Sequence, residues 1–114
     1  MPGKYAPPTG ELLLARSGSG EALGCVGMRP IGEPAICEMK RLFVSPAARG
    51  LGVGKALVAD IIHAAQQAGH GEMRLDTLPT MTAAIALYHE AGFAEIDAYY
   101  DTPIAGTVFM SRKL

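Results

Sequence analysis

The chain has 114 residues, 10 Lys and Arg against 11 Asp and Glu, and 49% hydrophobic residues. That fits one domain with a core of its own and excludes intrinsic disorder. A net charge of −1 offers no basic field for nucleic acid or an anionic membrane.

Residues 1–10 read as an irregular lead-in, because Pro2, Gly3, Pro7, Pro8 and Gly10 interrupt regular structure. This segment has no apolar core, so it does not read as a signal peptide, and no apolar run is long enough for a transmembrane helix. A cytoplasmic protein is expected. Glu11–Arg16 and Glu21–Arg29 read as strands of a hairpin joined by Ser17-Gly18-Ser19-Gly20. Pro30–Pro34 reads as a turn and Ala35–Val44 as a third strand, which gives an antiparallel meander. The period then changes. Leu57, Val58, Ile61, Ile62 and Ala65 recur at helical spacing within Val53–Ala68, and Gly69 ends that helix. Glu72–Leu78 reads as a strand with Met73, Leu75 and Thr77 on one face. A second helix, capped by Thr80 or Thr82, runs to about Ala91, with Ile85, Leu87, Tyr88 and Ala91 apolar and Gly92 as its stop. Phe93–Tyr100 and Val108–Arg112 read as the last strands. The order is β-β-β-α-β-α-β-β, an α/β (mixed α+β) fold with helices on a mixed sheet. The segment Ala35–Leu78 should be a parallel β-α-β crossover.

The most informative stretch is Arg49-Gly50-Leu51-Gly52-Val53-Gly54-Lys55, between a predicted strand and a predicted helix. Glycines there let a ligand approach the backbone, and the helix N-terminus presents free amides to an anion. Arg49 and Lys55 can add direct charge, so a phosphate-bearing ligand is expected. A Walker loop does not fit, since Arg49 stands where its first glycine should be and Ala56 follows Lys55. A dinucleotide fingerprint starting at Gly52 meets Leu57 in place of its third glycine.

Arg49-Gly50-Leu51-Gly52-Val53-Gly54 resembles the Arg/Gln-x-x-Gly-x-Gly/Ala pyrophosphate loop of the GNAT N-acetyltransferase superfamily. Arg41-Leu42-Phe43-Val44-x-Pro46 is similar to the end of that family's fourth strand, and Ala84 to Phe93 to its second conserved helix block ending in Gly-Phe. The resemblance covers most of the chain, residues 1–114 forming a single such domain. It implies a splayed mixed sheet holding acetyl-CoA between two diverging parallel strands, Ala35–Val44 and Glu72–Leu78. Backbone groups of Leu42, Phe43 and Val44 would pair with the pantetheine arm, and amides from Arg49 through Gly50, Leu51, Gly52, Val53 and Gly54 to Lys55 would hold the pyrophosphate. Met81 stands where many members have a cofactor-contacting asparagine; either Thr80 or Thr82 is the substitute, with Thr80 the expected one, or the contact is absent. Family members usually carry a strand and one or two helices before the Glu11 strand. The resemblance therefore implies an N-terminally short member whose uncovered apolar sheet face favours a homodimer.

Acetyl transfer requires proton removal from an amine, stabilisation of an oxyanion and protonation of the leaving thiolate. By resemblance, Tyr88 is the candidate acid and amides near Leu42 and Phe43 the oxyanion donors. By periodicity alone, Tyr88 is a half-buried helix aromatic. Glu38, in the otherwise apolar Ile36-Cys37-Glu38-Met39, is the candidate base, directly or through water. The same residue reads equally as a solvent-facing strand carboxylate or a partner of Lys40 or Arg41. Asp76 is a second acid, which either orients the acceptor or pairs with Arg74. Tyr99 and Tyr100 either line the acceptor site or pack. His63, His70 and His89 lack metal-ligand spacing, so no metal is expected, and Cys25 and Cys37 read as small core residues. Two functions remain from these residues: acetyl-CoA-dependent N-acetylation of a small-molecule or peptide amine, or a non-catalytic acyl-CoA-binding module or subunit.

Overall fold

The computed structural model describes residues 11–31 and 33–114, with Glu33 and Pro34 described by their backbone alone. The lead-in expected over 1–10 lies outside the described residues. Strands β1 (Glu11–Arg16), β2 (Ala22–Ile31) and β3 (Glu33–Val44) form the expected antiparallel meander. A 3₁₀ turn, Pro46–Ala48, leads into α1 (Val53–Gln67), followed by β4 (Glu72–Thr77), α2 (Thr82–Glu90), β5 (Ala94–Ile96) and β6 (Val108–Lys113). The six strands form one mixed sheet in the order β1-β2-β3-β4-β6-β5, with β3 and β4 parallel.

Three boundaries depart from the sequence reading. Pro30 and Pro34 lie inside strands, so the turn expected over Pro30–Pro34 is overturned at both of its ends, and Gly32 lies outside the described residues. Proline is tolerated at Pro30 because, among the described residues, β1 pairing reaches only to Met28 and Pro30 has a ladder on one side, and that ladder slips between Pro30 and Ile31. The second helix has neither threonine cap. Met81 occupies the cap position without a side-chain hydrogen bond, and Thr82 is already helical. The strand expected over Phe93–Tyr100 is only Ala94–Ile96. Phe93 is buried instead by edge-to-face packing on Tyr88, and Tyr99 and Tyr100 leave the sheet edge to stack on Phe109.

Alternation along the strands divides the sheet into two faces. Val26, Met28, Cys37, Met39, Met73, Leu75 and Met110 point into the core. There they meet Leu57, Val58, Ile61, Ile62 and Ala65 of α1, all five predicted by helical spacing and all buried. The opposite face carries Arg29, Glu38, Lys40, Arg74 and Asp76.

Candidate active site

The site begins with a fault in the sheet. Between the pairs Cys25↔Phe43 and Gly27↔Lys40, β2 advances two residues while β3 advances three. The extra residue makes a bulge, and Arg41 sits there at φ 60°, the one described non-glycine residue at positive φ. A bulge bends its strand. Parallel pairing of β3 with β4 covers only Ile36↔Glu72, Cys37↔Met73 and Glu38↔Arg74. Beyond Glu38 the two strands diverge, so Leu42, Phe43 and Val44 have no partner from β4. Phe43 is exposed.

The chain then turns into the glycine loop. Gly50 and Gly52 have φ of 84° and 78°, a region that side chains with a Cβ enter at a cost of about 1–2 kcal/mol. A Cβ at either would meet nothing within 4 Å, so the loop's outer side is open. Gly52 is the N-cap of α1, with no capping side chain and no acidic residue in the first turn. The amides of Gly50, Gly52, Val53, Gly54 and Lys55 donate to no described residue, whereas Leu51 bonds Ala48 and Ala56 bonds Gly52. Five unspent N–H groups at the positive end of a 15-residue helix suit a diphosphate. Gly54 has a packing role, because a Cβ there would come 3.3 Å from Leu87 and 3.4 Å from Val44. Lys55, expected on the phosphate, pairs with Glu90 of α2 at 3.0 Å in a largely exposed contact. Arg49 is exposed beside the loop, and Thr80 is exposed in the turn before α2.

Tyr88 is 7% exposed and packs against Phe93. Its hydroxyl has no hydrogen-bond partner among the described residues. Burial, with a contribution from the Asp76 charge, pushes its pKa up to about 12, so the phenol keeps its proton at neutral pH.

Glu38 is 2% exposed. Its Oε1 accepts from Arg29 Nε and Nη2 at 3.2 and 3.0 Å, and its Oε2 accepts from the Tyr99 hydroxyl at 2.6 Å. Lys40, one of the two expected partners, stands 3.7 Å away and spends its closer contact, 2.8 Å, on Asp76. Arg41 is turned aside by the bulge, and the partner that sequence reading missed is Arg29. Arg29 sits directly opposite Glu38 in the β2–β3 ladder, in the register that follows the slip between Pro30 and Ile31. Asp76 pairs with Lys40 and accepts from the Tyr100 hydroxyl, not with Arg74. Burial raises its pKa, but the two hydrogen bonds and the Lys40 charge outweigh burial and hold it below the usual value. Arg74 instead donates to Glu72 at 2.8 Å. Tyr99 and Tyr100 thus bond across the sheet as well as pack.

Burial pushes the Cys37 thiol up to about 12, which leaves it an inert core group, and both cysteines are free. Among the described residues no cluster of His, Cys, Asp and Glu could hold a metal ion, and no helix is long and apolar enough to cross a membrane.

The same architecture recurs in known proteins. Residues 4–93 match the family model for the acetyltransferase (GNAT) family. An uncharacterised N-acetyltransferase of Schizosaccharomyces pombe is 48% identical over 111 residues, covering 97% of this chain and 68% of that protein. An IAA acetyltransferase of Azospirillum brasilense is 38% identical over 112 residues, covering 96% of this chain and 71% of that protein. An uncharacterised N-acetyltransferase of Dictyostelium discoideum is 49% identical over 80 residues, and the match spans only 37% of its length. Among solved structures, a Klebsiella pneumoniae protein provisionally assigned as an acyl-CoA N-acyltransferase superposes with a TM-score of 0.86 at 36% identity, covering 95% of this chain and 74% of that one. A GNAT family acetyltransferase from Elizabethkingia anophelis with acetyl-CoA bound gives 0.78 at 25% identity, covering 93% and 77%.

Proposed function

The chain belongs to the GNAT acetyltransferase family, and from that premise we propose that it transfers the acetyl group of acetyl-CoA to a primary amine of a small molecule or peptide. The observation that carries this reading is the row of five unspent amides in the glycine loop, directly after a strand that has diverged from its neighbour. Loop and splayed edge together offer one continuous backbone surface. In this reading the amides of Gly50, Gly52, Val53, Gly54 and Lys55 hold the pyrophosphate, with Arg49 adding charge at the rim, and the β4 side of Leu42, Phe43 and Val44 receives the pantetheine arm as an added strand. Thr80 lies near enough in sequence to α2 to supply a hydroxyl at that end.

Acetyl-CoA supplies an activated thioester. A C–N bond forms to the amine and the C–S bond breaks. The amine proton leaves to Glu38 through a water, an anion that Arg29 and Tyr99 hold in place. Amides near Leu42 and Phe43 take the developing oxyanion, and Tyr88 gives its proton to the departing sulfur. Tyr88 suits that role because its phenol is protonated and its hydroxyl is not committed to another group.

The test is steady-state acetylation of a panel of amines by the purified chain, with Tyr88→Phe beside it. Loss of a general acid lowers kcat by about 10²- to 10⁴-fold. Unchanged acetyl-CoA affinity with that loss supports the assignment, and an undiminished kcat removes Tyr88 from the mechanism. Acetyl-CoA binding without turnover of any amine would instead identify an acyl-CoA-binding module.

A further inference from the structure

On the sheet face away from the helices, ladder register sets Arg29, Glu38 and Arg74 side by side across β2, β3 and β4. Two residues along, Lys40 and Asp76 face each other across the splay at 2.8 Å. Tyr99 and Tyr100, stacked on Phe109, wall the end of this row. Arg29, Glu38, Lys40, Arg74 and the two tyrosines line a cavity of about 550 Å³.

The cavity is ordered by depth. The carboxylates lie low, with the Glu38 side chain 3% and that of Asp76 17% exposed, while Arg29, Lys40 and Arg74 stand above them at 29%, 29% and 28%. Both phenolic hydrogens are spent downward, Tyr99 on Glu38 and Tyr100 on Asp76. Arg29 gives Nε and Nη2 to Glu38, and Arg74 gives Nε to Glu72. The Nη1 of Arg29 and both Nη groups of Arg74 meet no acceptor among the described residues. The Arg74 guanidinium is steadied over the Tyr99 ring, 5.4 Å from its centroid. The outward surface is therefore one of guanidinium donors on β2 and β4, the two strands that flank Glu38 on β3, a pattern suited to forked recognition of an oxyanion.

We propose that the acceptor carries, beside its amine, an anionic oxygen group, a carboxylate or a phosphate, and that Arg29 and Arg74 hold that group in this cavity. The inference rests on the acetyl-transfer reading and names the substrate class of that site. Charge balance favours it over a plain polyamine or a plain anion. Arg29, Lys40 and Arg74 already balance Glu38, Asp76 and Glu72. An amino carboxylate adds no net charge to a partly buried network, and an amino phosphate adds at most about one negative charge, whereas a cation meets ammonium and guanidinium groups first.

The experiment compares matched acceptors: α-amino acids, their methyl esters, the amines lacking the carboxylate, and aminoethyl phosphate. The wild type should prefer the acid or the phosphate over its uncharged counterpart by about tenfold or more in kcat/KM, the ratio between them identifying which anion is read. Arg74→Gln, and separately Arg29→Lys, which keeps a cation against Glu38, should move that acid-to-ester ratio toward one, mainly through KM. Equal use of ester and acid by the wild type, or an equal loss for both in the variants, overturns the proposal. Binding of the same acceptors is read in parallel by saturation-transfer NMR, and acetyl-CoA binding by calorimetry. Acid-dependent acceptor binding that Arg74→Gln abolishes upholds the anion site even where no amine turns over, a result that counts against acetyl transfer alone. Absence of any difference in binding between acid and ester refutes the anion site while acetyl-CoA binding stands apart.

Discussion

Replacing Arg29 by methionine strips Glu38 of its two shortest cationic contacts. The carboxylate, 2% exposed with Arg29 in place, keeps the Tyr99 hydroxyl and Lys40 at 3.7 Å as its remaining company. Removing one member of a fully buried ion pair costs about 3–5 kcal/mol. The Arg29 side chain is itself 29% exposed, so water enters the vacated space and lowers that figure to about 2–3 kcal/mol. Glu38→Leu leaves a guanidinium that can turn outward to water, and should cost only about 1–2 kcal/mol. Urea unfolding followed by far-UV circular dichroism measures each single variant and the double, read as a midpoint shift at constant slope. In the double variant no charge is stranded, so its loss should fall short of the sum of the singles by about 1–2 kcal/mol. Additive losses, or an Arg29→Met variant within about 0.5 kcal/mol of wild type, would show that the pair is solvated and that the depth ordering of the cavity is wrong.

The glycines of the loop should separate by role. Gly52→Ala forces a Cβ into a φ of 78° and narrows the open side of the cradle, so isothermal titration should show acetyl-CoA affinity falling by about tenfold or more, with a stability loss of about 1–2 kcal/mol. Gly54→Ala tightens contacts with Leu87 and Val44 while gaining helix propensity, and should leave stability within about 1 kcal/mol. Equal binding losses in the two would remove the distinction. Acid stability follows from Asp76 and Glu72, both held below their usual pKa. For Asp76, Lys40 and Tyr100 outweigh an opposing burial contribution; for Glu72, the hydrogen bonds from Arg74 and Ser111 lead. A depressed folded pKa stabilises above the unfolded value, about 3.9 for Asp and 4.3 for Glu, and that stability is lost as pH falls below it. Asp76→Asn should therefore flatten the pH dependence of unfolding below about pH 4, and an unchanged slope would contradict the Lys40–Asp76 pairing.

Local periodicity made most of the fold legible. Five apolar residues at helical spacing in Val53–Gln67 are the five that α1 buries, and Ser17-Gly18-Ser19-Gly20 marked the turn of the first hairpin. The glycine loop was legible too, because a conformation that only glycine adopts cheaply leaves its mark directly in the residue types. Long-range register was not. Tyr99 reaches Glu38 across 61 residues and Tyr100 reaches Asp76 across 24, so a stretch that reads as a strand abandons the sheet edge. The Arg29–Glu38 pair depends on the register slip between Pro30 and Ile31, and nothing in the residue types near Glu38 announces it. Searching for partners within a few residues finds Lys40 and Arg41; the residue opposite in a hairpin is found only when the register is known.

The central claim is that the glycine loop and the splayed edge of β3 form an acyl-CoA site. Calorimetric titration of the purified chain with acetyl-CoA tests it most directly. The account predicts saturable binding near one per chain, weakened by Gly52→Ala. A chain that folds cooperatively yet shows no heat of binding at millimolar acetyl-CoA would contradict it.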